Sequence, residues 1–89
     1  MHILSVKLVF NIPHAMSLKD KRRVCRSIIE KTRKKFNVSI AEVASQDKHQ
    51  ILTIGVVVIS GEMAHARRSL DEVIRYMDGN TDAELIEIE

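Results

Sequence analysis

The residues of this sequence best suited to chemistry are basic, and most of them fall in one segment. Between Ser17 and Phe36 the sequence holds nine of its fourteen Lys and Arg residues, but only two acidic residues, Asp20 and Glu30. The segment therefore carries a charge of +7, while the whole chain carries only +2. Charge segregated in this way favours an anionic partner, such as the phosphate backbone of a nucleic acid.

On a helical wheel, six of these side chains form one stripe beside an apolar arc. Like charges four residues apart in the stripe repel each other by a few tenths of a kcal/mol per pair, a cost that a bound polyphosphate would reverse. The alternative is a solvated face that is partly offset by acidic residues elsewhere, such as Asp71, Glu72 or Glu87. We predict phosphate contacts from six residues: Lys19, Arg22, Arg23, Arg26, Arg33 and Lys34.

Lys21 differs from these six residues because it lies close to the apolar arc of the same wheel. We expect its aliphatic stem to cover the edge of the core while its ammonium group reaches water or a carboxylate. Its predicted role is therefore structural.

Other kinds of chemistry are not favoured by the residue pattern. Cys25, the single cysteine, points inward on the predicted helix, so neither a disulfide nor a reactive thiolate is expected. The glycines stand singly, so there is no glycine-rich phosphate loop. The histidines lie on separate segments, without the i, i+4 spacing of a metal site: His2, His14, His49 and His65. We therefore expect no enzyme activity, metal, cofactor or small-molecule substrate.

Length and composition indicate one globular domain that covers residues 1–89. Hydrophobic residues make up 45% of the chain and charged residues 29%, which is typical of a folded domain and not of a disordered one. No apolar run approaches the roughly 20 residues that cross a bilayer. The apolar start lacks the basic leading region and cleavage site of an export signal. We expect a cytosolic protein without membrane association.

The hydrophobic periodicity predicts six elements in the order βαββαβ. The helix that carries the basic stripe begins with Ser17, whose hydroxyl can cap the N–H of Asp20. A slip in the alternation between Ile40 and Val43 indicates a β-bulge. The predicted strands and helices cover residues 2–10, 17–36, 37–45, 51–59, 63–77 and 83–89.

This order predicts an α+β fold of the ferredoxin-like type, with two helices on one face of a four-stranded antiparallel sheet. The opposite face of the sheet would then be bare, although its central strands carry several aliphatic side chains there. The alternative hypothesis for function is therefore a homo-oligomeric interaction module, in its simplest form a homodimer, with no nucleic-acid role. The residues predicted for this oligomer or partner interface are Ile3, Val9, Ile51, Val57 and Ile59.

Aromatic residues are too few for recognition of RNA by base stacking. The chain has only Phe10, Phe36 and Tyr76, and both phenylalanines are predicted to lie in the core. Any contact with RNA is therefore expected to use phosphates or duplex shape.

The stretch HAMSLKDKRRVCRSIIEKTRKKFNVSIAEV, followed by Gln46 and Asp47, resembles the YlxP-like family of small uncharacterised bacterial proteins. The most specific pieces are residues 17–22 and 36–43, and residues 83–85 also fit. The resemblance implies a ferredoxin-like fold and no established enzyme activity or cofactor. Genes of this family often lie among those for translation initiation and ribosome maturation. Relatives commonly carry an apolar and an aromatic residue where this chain has Lys48-His49.

The leading hypothesis from the sequence is a non-catalytic cytosolic protein that binds RNA, or associates with the ribosome, through its first helix. The family pattern singles out Lys19, Lys21 and Arg22 as residues of interest. The prediction for the other basic residues is based on their charge alone.

Overall fold

The computed structural model describes all residues from Met1 to Glu89 and contains six elements in the predicted order. Their bounds lie within two residues of those predicted from the sequence. The elements are β1 (His2–Asn11), α1 (Leu18–Lys35), β2 (Ser39–Ala44), β3 (Ile51–Ser60), α2 (Met63–Gly79) and β4 (Glu84–Ile88). Neither helix combines the length and the apolarity that crossing a bilayer requires.

The strands form one antiparallel sheet in the order β2-β3-β1-β4. The central pair, β1 and β3, is in register along its whole length, from His2 opposite Ser60 to Asn11 opposite Ile51. β4 is shorter and lies beside only the second half of β1. The predicted ferredoxin-like arrangement is therefore confirmed.

Both helices pack on one face of the sheet and enclose a single core. Alternate residues of β1 and β3 point to this face, and Leu8, Phe10 and Ile54 are completely buried there. α1 contributes Ile28, and α2 contributes Val73 and Met77. Burial of each large apolar side chain stabilises the fold by about 1.5–3 kcal/mol. Apolar residues recur every two positions in the strands and about every 3.6 positions in the helices, and this periodicity predicted which side chains face the core.

The opposite, open face of the sheet is apolar at one end. Ile3 is 57% exposed, Ile59 is 60% exposed and Val57 is 39% exposed. The other two residues of the predicted interface, Val9 and Ile51, are half-buried. The five predicted interface residues are thus unequally accessible, and only the first three form an exposed apolar patch.

A β-bulge in β2 shapes the open face, as the slip in the sequence alternation predicted. The register with β3 shifts between Glu42 and Ala44, so Val43 is the additional residue. Its side chain lies over Gly55, where a Cβ atom would approach Val43 Cγ1 to 2.9 Å. The absence of a side chain at position 55 therefore allows the bulge to pack against β3.

The start of α1 is capped as predicted. The Ser17 hydroxyl accepts a hydrogen bond from the Asp20 N–H at 3.1 Å, and the Asp20 carboxylate accepts one from the Met16 N–H at 2.9 Å. These two bonds satisfy amide groups that have no partner within the helix, so they fix the residue at which α1 begins.

Loss of this cap should be measurable. We expect Ser17→Ala to lower the free energy of unfolding by about 1 kcal/mol, because an N-terminal amide of α1 loses its acceptor. Urea denaturation followed by circular dichroism measures the change. Ser27→Ala, in the middle of the same helix, is the control and should leave stability unchanged or slightly raised. Equal stability of the Ser17→Ala protein and the wild type would contradict the capping role.

Candidate nucleic-acid interface

The six basic residues predicted to contact phosphates are all solvent-exposed on α1. The buried side of this helix is formed by Lys21, Cys25, Ile28 and Thr32, so the stripe points away from the core. The structure has two ion pairs, Lys7 with Glu89 and Lys21 with Glu42, and neither includes a residue of the stripe. No side chain of the stripe is therefore held in an ion pair within the chain.

Two adjoining shallow depressions follow α1 on its exposed side. One, of about 460 Å³, lies between α1 and the loop that follows α2, and the other, of about 360 Å³, lies along α1 itself. Both are lined by Arg23, Ser27 and Lys31, which follow one another at intervals of one helical turn. We call the combined surface the basic groove; it is lined by His14 and by the charged residues Arg23, Arg26, Glu30, Lys31, Lys34 and Asp82.

Three of the six predicted residues, Arg23, Arg26 and Lys34, line the basic groove. Lys19 and Arg22 are exposed on the first turns of α1, outside the groove lining. They extend the charged surface toward the beginning of the helix.

Arg33 is turned toward the outer edge of the sheet. Its Nη2 donates a hydrogen bond to the carbonyl oxygen of Ile40 at 2.9 Å. Ile40 belongs to β2, the edge strand, so the Arg33 side chain fastens α1 to that edge. One of its donors is therefore already used within the protein.

Two basic members of the groove, Lys31 and His14, were not predicted from the sequence. The spacing of Arg23, Ser27 and Lys31 was a signal that could have identified Lys31, because residues four apart share a helix face. No local pattern could have identified His14, which precedes α1 and reaches the groove only through the tertiary fold.

The groove lacks the aromatic platform that base stacking needs. Tyr76, the only tyrosine, packs edge-to-face against Phe36 with ring centroids 5.5 Å apart, and the ammonium group of Lys35 lies 5.2 Å from its ring centroid. Neither ring lines the groove. The arrangement is suited to contact with phosphates and not to stacking with bases.

Lys21 is the one basic residue of α1 with a fully buried side chain, which is only 2% exposed. Its ammonium group donates to the carbonyl oxygens of Ser45, Lys48 and Ile51, at 2.5, 2.8 and 3.0 Å. Glu42 Oε2 lies 2.9 Å from the same ammonium nitrogen and forms an ion pair with it. Lys21 therefore anchors α1 to the loop between β2 and β3, and it cannot reach an external phosphate.

The motif Ser17-Leu18-Lys19-Asp20-Lys21-Arg22 thus has two roles. Ser17 and Asp20 cap the helix, and Lys21 anchors it. Only Lys19 and Arg22 present their charge to solvent. Of the three basic residues that the family pattern emphasised, one is structural, as its position near the apolar arc predicted.

The remaining reactive groups are dispersed or buried. Burial raises the pKa of the Cys25 thiol, and the nearby Glu42 carboxylate raises that pKa further, while Lys21 opposes the change. The thiolate is therefore a minor species at neutral pH. No three side chains of His, Cys, Asp or Glu lie close enough together to hold a metal ion.

Comparison with known proteins confirms the resemblance that the sequence motifs indicate. A family model described as "Protein of unknown function (DUF503)" matches residues 3–89. The uncharacterized protein YlxP of Bacillus subtilis (strain 168) is 36% identical over 64 residues, which cover 72% of this chain and 70% of YlxP. This chain therefore belongs to the YlxP-like DUF503 family.

Proposed function

We propose that this protein is a non-catalytic cytosolic RNA-binding protein whose basic groove contacts phosphates. The observation that carries the proposal is the set of exposed basic side chains on α1, none of which is paired with a carboxylate. A charged surface of this kind attracts a polyanion over a distance of about 10 Å at moderate salt. The proposed role needs no cofactor and no small-molecule substrate.

The geometry of α1 suits a chain of phosphates better than a single anion. At 1.5 Å per residue, the stretch from Arg23 to Lys34 extends about 16 Å along the helix. Repulsion between neighbours in the stripe, such as Arg22 and Arg26, is relieved when several phosphates bind along this length. The absence of an exposed aromatic ring in the groove favours recognition of the backbone over recognition of bases.

Ribosomal RNA is the first candidate for the ligand. The resemblance to the YlxP-like family supports this choice, because genes of that family often accompany those for translation initiation and ribosome maturation. Gene neighbourhood is an association and not a mechanism, so the choice of RNA depends on experiment.

The proposal is tested by isolating the affinity-tagged protein from cells at low and at high salt. We expect ribosomal RNA or ribosomal subunits to accompany the protein at low salt and to be released at high salt, because phosphate contacts weaken as salt rises. The matched control is the Arg23→Glu/Arg26→Glu/Lys34→Glu variant, which should retain little RNA at either salt concentration. Equal recovery of RNA with the wild type and with this variant would contradict a role for the groove.

The exposed apolar patch on the open face favours a second candidate function, a homo-oligomeric interaction module. Ile3, Val57 and Ile59 lie together there and are accessible to a partner. Covering them would remove apolar surface from water at about 25 cal/mol per Å². Sedimentation of the purified protein tests this candidate, and a monomer at all concentrations would contradict it.

A further inference from the structure

The larger depression of the basic groove has two walls of different chemistry. It lies between α1 and the residues that follow α2, and its volume is about 460 Å³. On the α1 side it is lined by the cations Arg23 and Lys31, which donate hydrogen bonds and accept none. The opposite side, which we call the acceptor wall, consists of Asn80, Thr81 and Asp82.

Hydrogen bonds within the chain hold the first two residues of the acceptor wall. Asn80 Nδ2 donates to the carbonyl oxygen of Tyr76 at 2.8 Å, and its Oδ1 has no hydrogen-bond partner in the chain. Thr81 Oγ1 accepts from the N–H of Ala83 at 3.1 Å, and Ala83 is itself buried. The wall is therefore fixed to the fold while an oxygen acceptor of Asn80 stays free for a ligand.

Asp82 is the unexplained member of this wall. Its side chain is exposed and takes part in no hydrogen bond, and both ion pairs of the chain lie elsewhere. Arg23 and Lys31 line the same depression, yet neither forms an ion pair with Asp82. The two walls are thus separated by open space. A ligand that fills this space must present acceptors to α1 and a donor to Asp82, because a carboxylate only accepts hydrogen bonds.

Phosphate groups alone do not satisfy the acceptor wall. Phosphate oxygens are anionic acceptors, so Asp82 repels them, and the backbone of DNA offers no donor at all. The backbone of RNA carries a 2′-hydroxyl group, a donor, on every sugar between its phosphates. Amino groups of bases are also donors, but no aromatic ring lines the groove to hold a base by stacking. The depression therefore matches a ribose-phosphate chain better than any other part of a nucleic acid.

We propose that the acceptor wall binds the 2′-hydroxyl groups of an RNA whose phosphates contact α1, so that the groove selects RNA over nucleic acids that lack this group. This inference rests on the proposed RNA-binding function and adds the basis of its selectivity. Asp82 accepts the principal hydrogen bond, and Asn80 Oδ1 offers a second acceptor beside it. Because every ribonucleotide has the hydroxyl group, the selection does not depend on base sequence.

Two fluorescein-labelled hairpins of one sequence test the contact, one of RNA and one with fluorine in place of every 2′-hydroxyl. The fluorine keeps the A-form helix but cannot donate a hydrogen bond. We expect the wild type to bind the RNA hairpin about tenfold more tightly, because a hydrogen bond to a charged acceptor at an exposed site contributes about one factor of ten in affinity. Fluorescence anisotropy at low salt measures both dissociation constants.

Asp82→Ala should bind the two hairpins with nearly equal affinity. It should also bind the 2′-fluoro hairpin more tightly than the wild type does, because the lost carboxylate only repels that ligand. Asp78→Ala is the matched control, since Asp78 is exposed, lies outside the groove lining and gives the same change in charge. This control should keep the preference for RNA. Asp82 makes no contact within the fold, so its variant should have an unchanged circular dichroism spectrum.

The possible failures of the two proposals can be told apart. Equal, salt-dependent binding of both hairpins by the wild type would overturn the 2′-hydroxyl contact and leave RNA binding by the groove intact. A preference for RNA that persists in Asp82→Ala would also overturn it, because the selectivity would then come from another part of the protein. If the wild type bound neither hairpin at low salt, the proposed function and this inference would both be overturned.

Discussion

Replacing Lys21 by methionine should lower the free energy of unfolding by about 3 kcal/mol, the lower end of the range for removing one partner of a buried ion pair, because the Glu42 side chain is 22% exposed. Lys21 is only 2% exposed. Its ammonium group donates hydrogen bonds to three carbonyl groups and forms an ion pair with the Glu42 carboxylate. Methionine has a similar volume, but it offers no donor. The carbonyl groups and the carboxylate would then remain desolvated without a partner.

Urea or thermal unfolding followed by circular dichroism measures this loss. Lys19→Met is the matched control, because Lys19 lies two residues away on the exposed side of the same helix. Its stability should stay within about 0.5 kcal/mol of the wild type. Small domains are stable by only about 5–15 kcal/mol, so this loss is a large share of the total stability. Equal stability of the two methionine variants would contradict the anchoring role of Lys21.

Glu42→Gln separates the two kinds of contact at Lys21. In this variant the ammonium group keeps its three carbonyl acceptors and loses only the opposite charge. We expect a smaller destabilisation than that of Lys21→Met, because hydrogen bonds to the carbonyls remain. A larger loss of stability in Glu42→Gln than in Lys21→Met would mean that the ion pair, and not the carbonyl cage, is the principal contribution of Lys21.

The second large effect is expected on RNA affinity. Charge reversal of the groove in the Arg23→Glu/Arg26→Glu/Lys34→Glu variant should weaken binding of a short fluorescein-labelled RNA hairpin by about 10²–10³-fold. Loss of charge-assisted contacts costs about 1.5–3 kcal/mol each in a protein interior and less at an exposed surface, and each 1.4 kcal/mol corresponds to a factor of ten in affinity. Fluorescence anisotropy at low salt measures the change.

α2 offers a control with the same change in charge. Arg67, Arg68 and Arg75 are exposed on that helix, outside the lining of the basic groove. Reversal of three basic residues changes the net charge by −6, from +2 to −4, in both variants. The α2 variant should lose much less affinity than the α1 variant. An equal loss in both would show that RNA responds to the overall charge of the protein and not to the groove.

Much of the fold could be predicted from the sequence because its causes are local. The alternation in β1 and β3, the helical spacing of the apolar residues in α1 and α2, and the cap formed by Ser17 and Asp20 all act over a few residues. The slip between Ile40 and Val43 indicated the bulge for the same reason. Each of these features is a pattern that the neighbouring residues specify almost alone.

The contacts that depend on distant segments could not be predicted in the same way. The bonds of Lys21 to Ser45, Lys48 and Ile51 bring together residues separated by more than twenty positions. Thr53 alternates with the buried Leu52 and Ile54 and so faces the open side of the sheet, yet it is only 4% exposed, and its hydroxyl lies 3.0 Å from that of Ser45. Such burial depends on how a loop folds over the sheet, which no period in the sequence encodes.

The candidate site shows the same division between local and distant causes. The exposed stripe on α1 follows from helical spacing and was predicted. The use of Arg33 at the edge of β2 and the position of His14 in the groove lining follow from the docking of whole elements, so they were not predicted.

The salt dependence of RNA affinity tests the proposed phosphate contacts of α1 most directly. If the four cations Arg23, Arg26, Lys31 and Lys34 each neutralise one phosphate, the logarithm of the association constant should fall with the logarithm of salt concentration with a slope of about −3 to −4. Anisotropy titrations of the labelled hairpin at several potassium chloride concentrations give this slope. We expect that slope for the wild type and a much shallower slope for the triple α1 variant. No binding at low salt, or a slope near zero for the wild type, would contradict the proposed phosphate contacts.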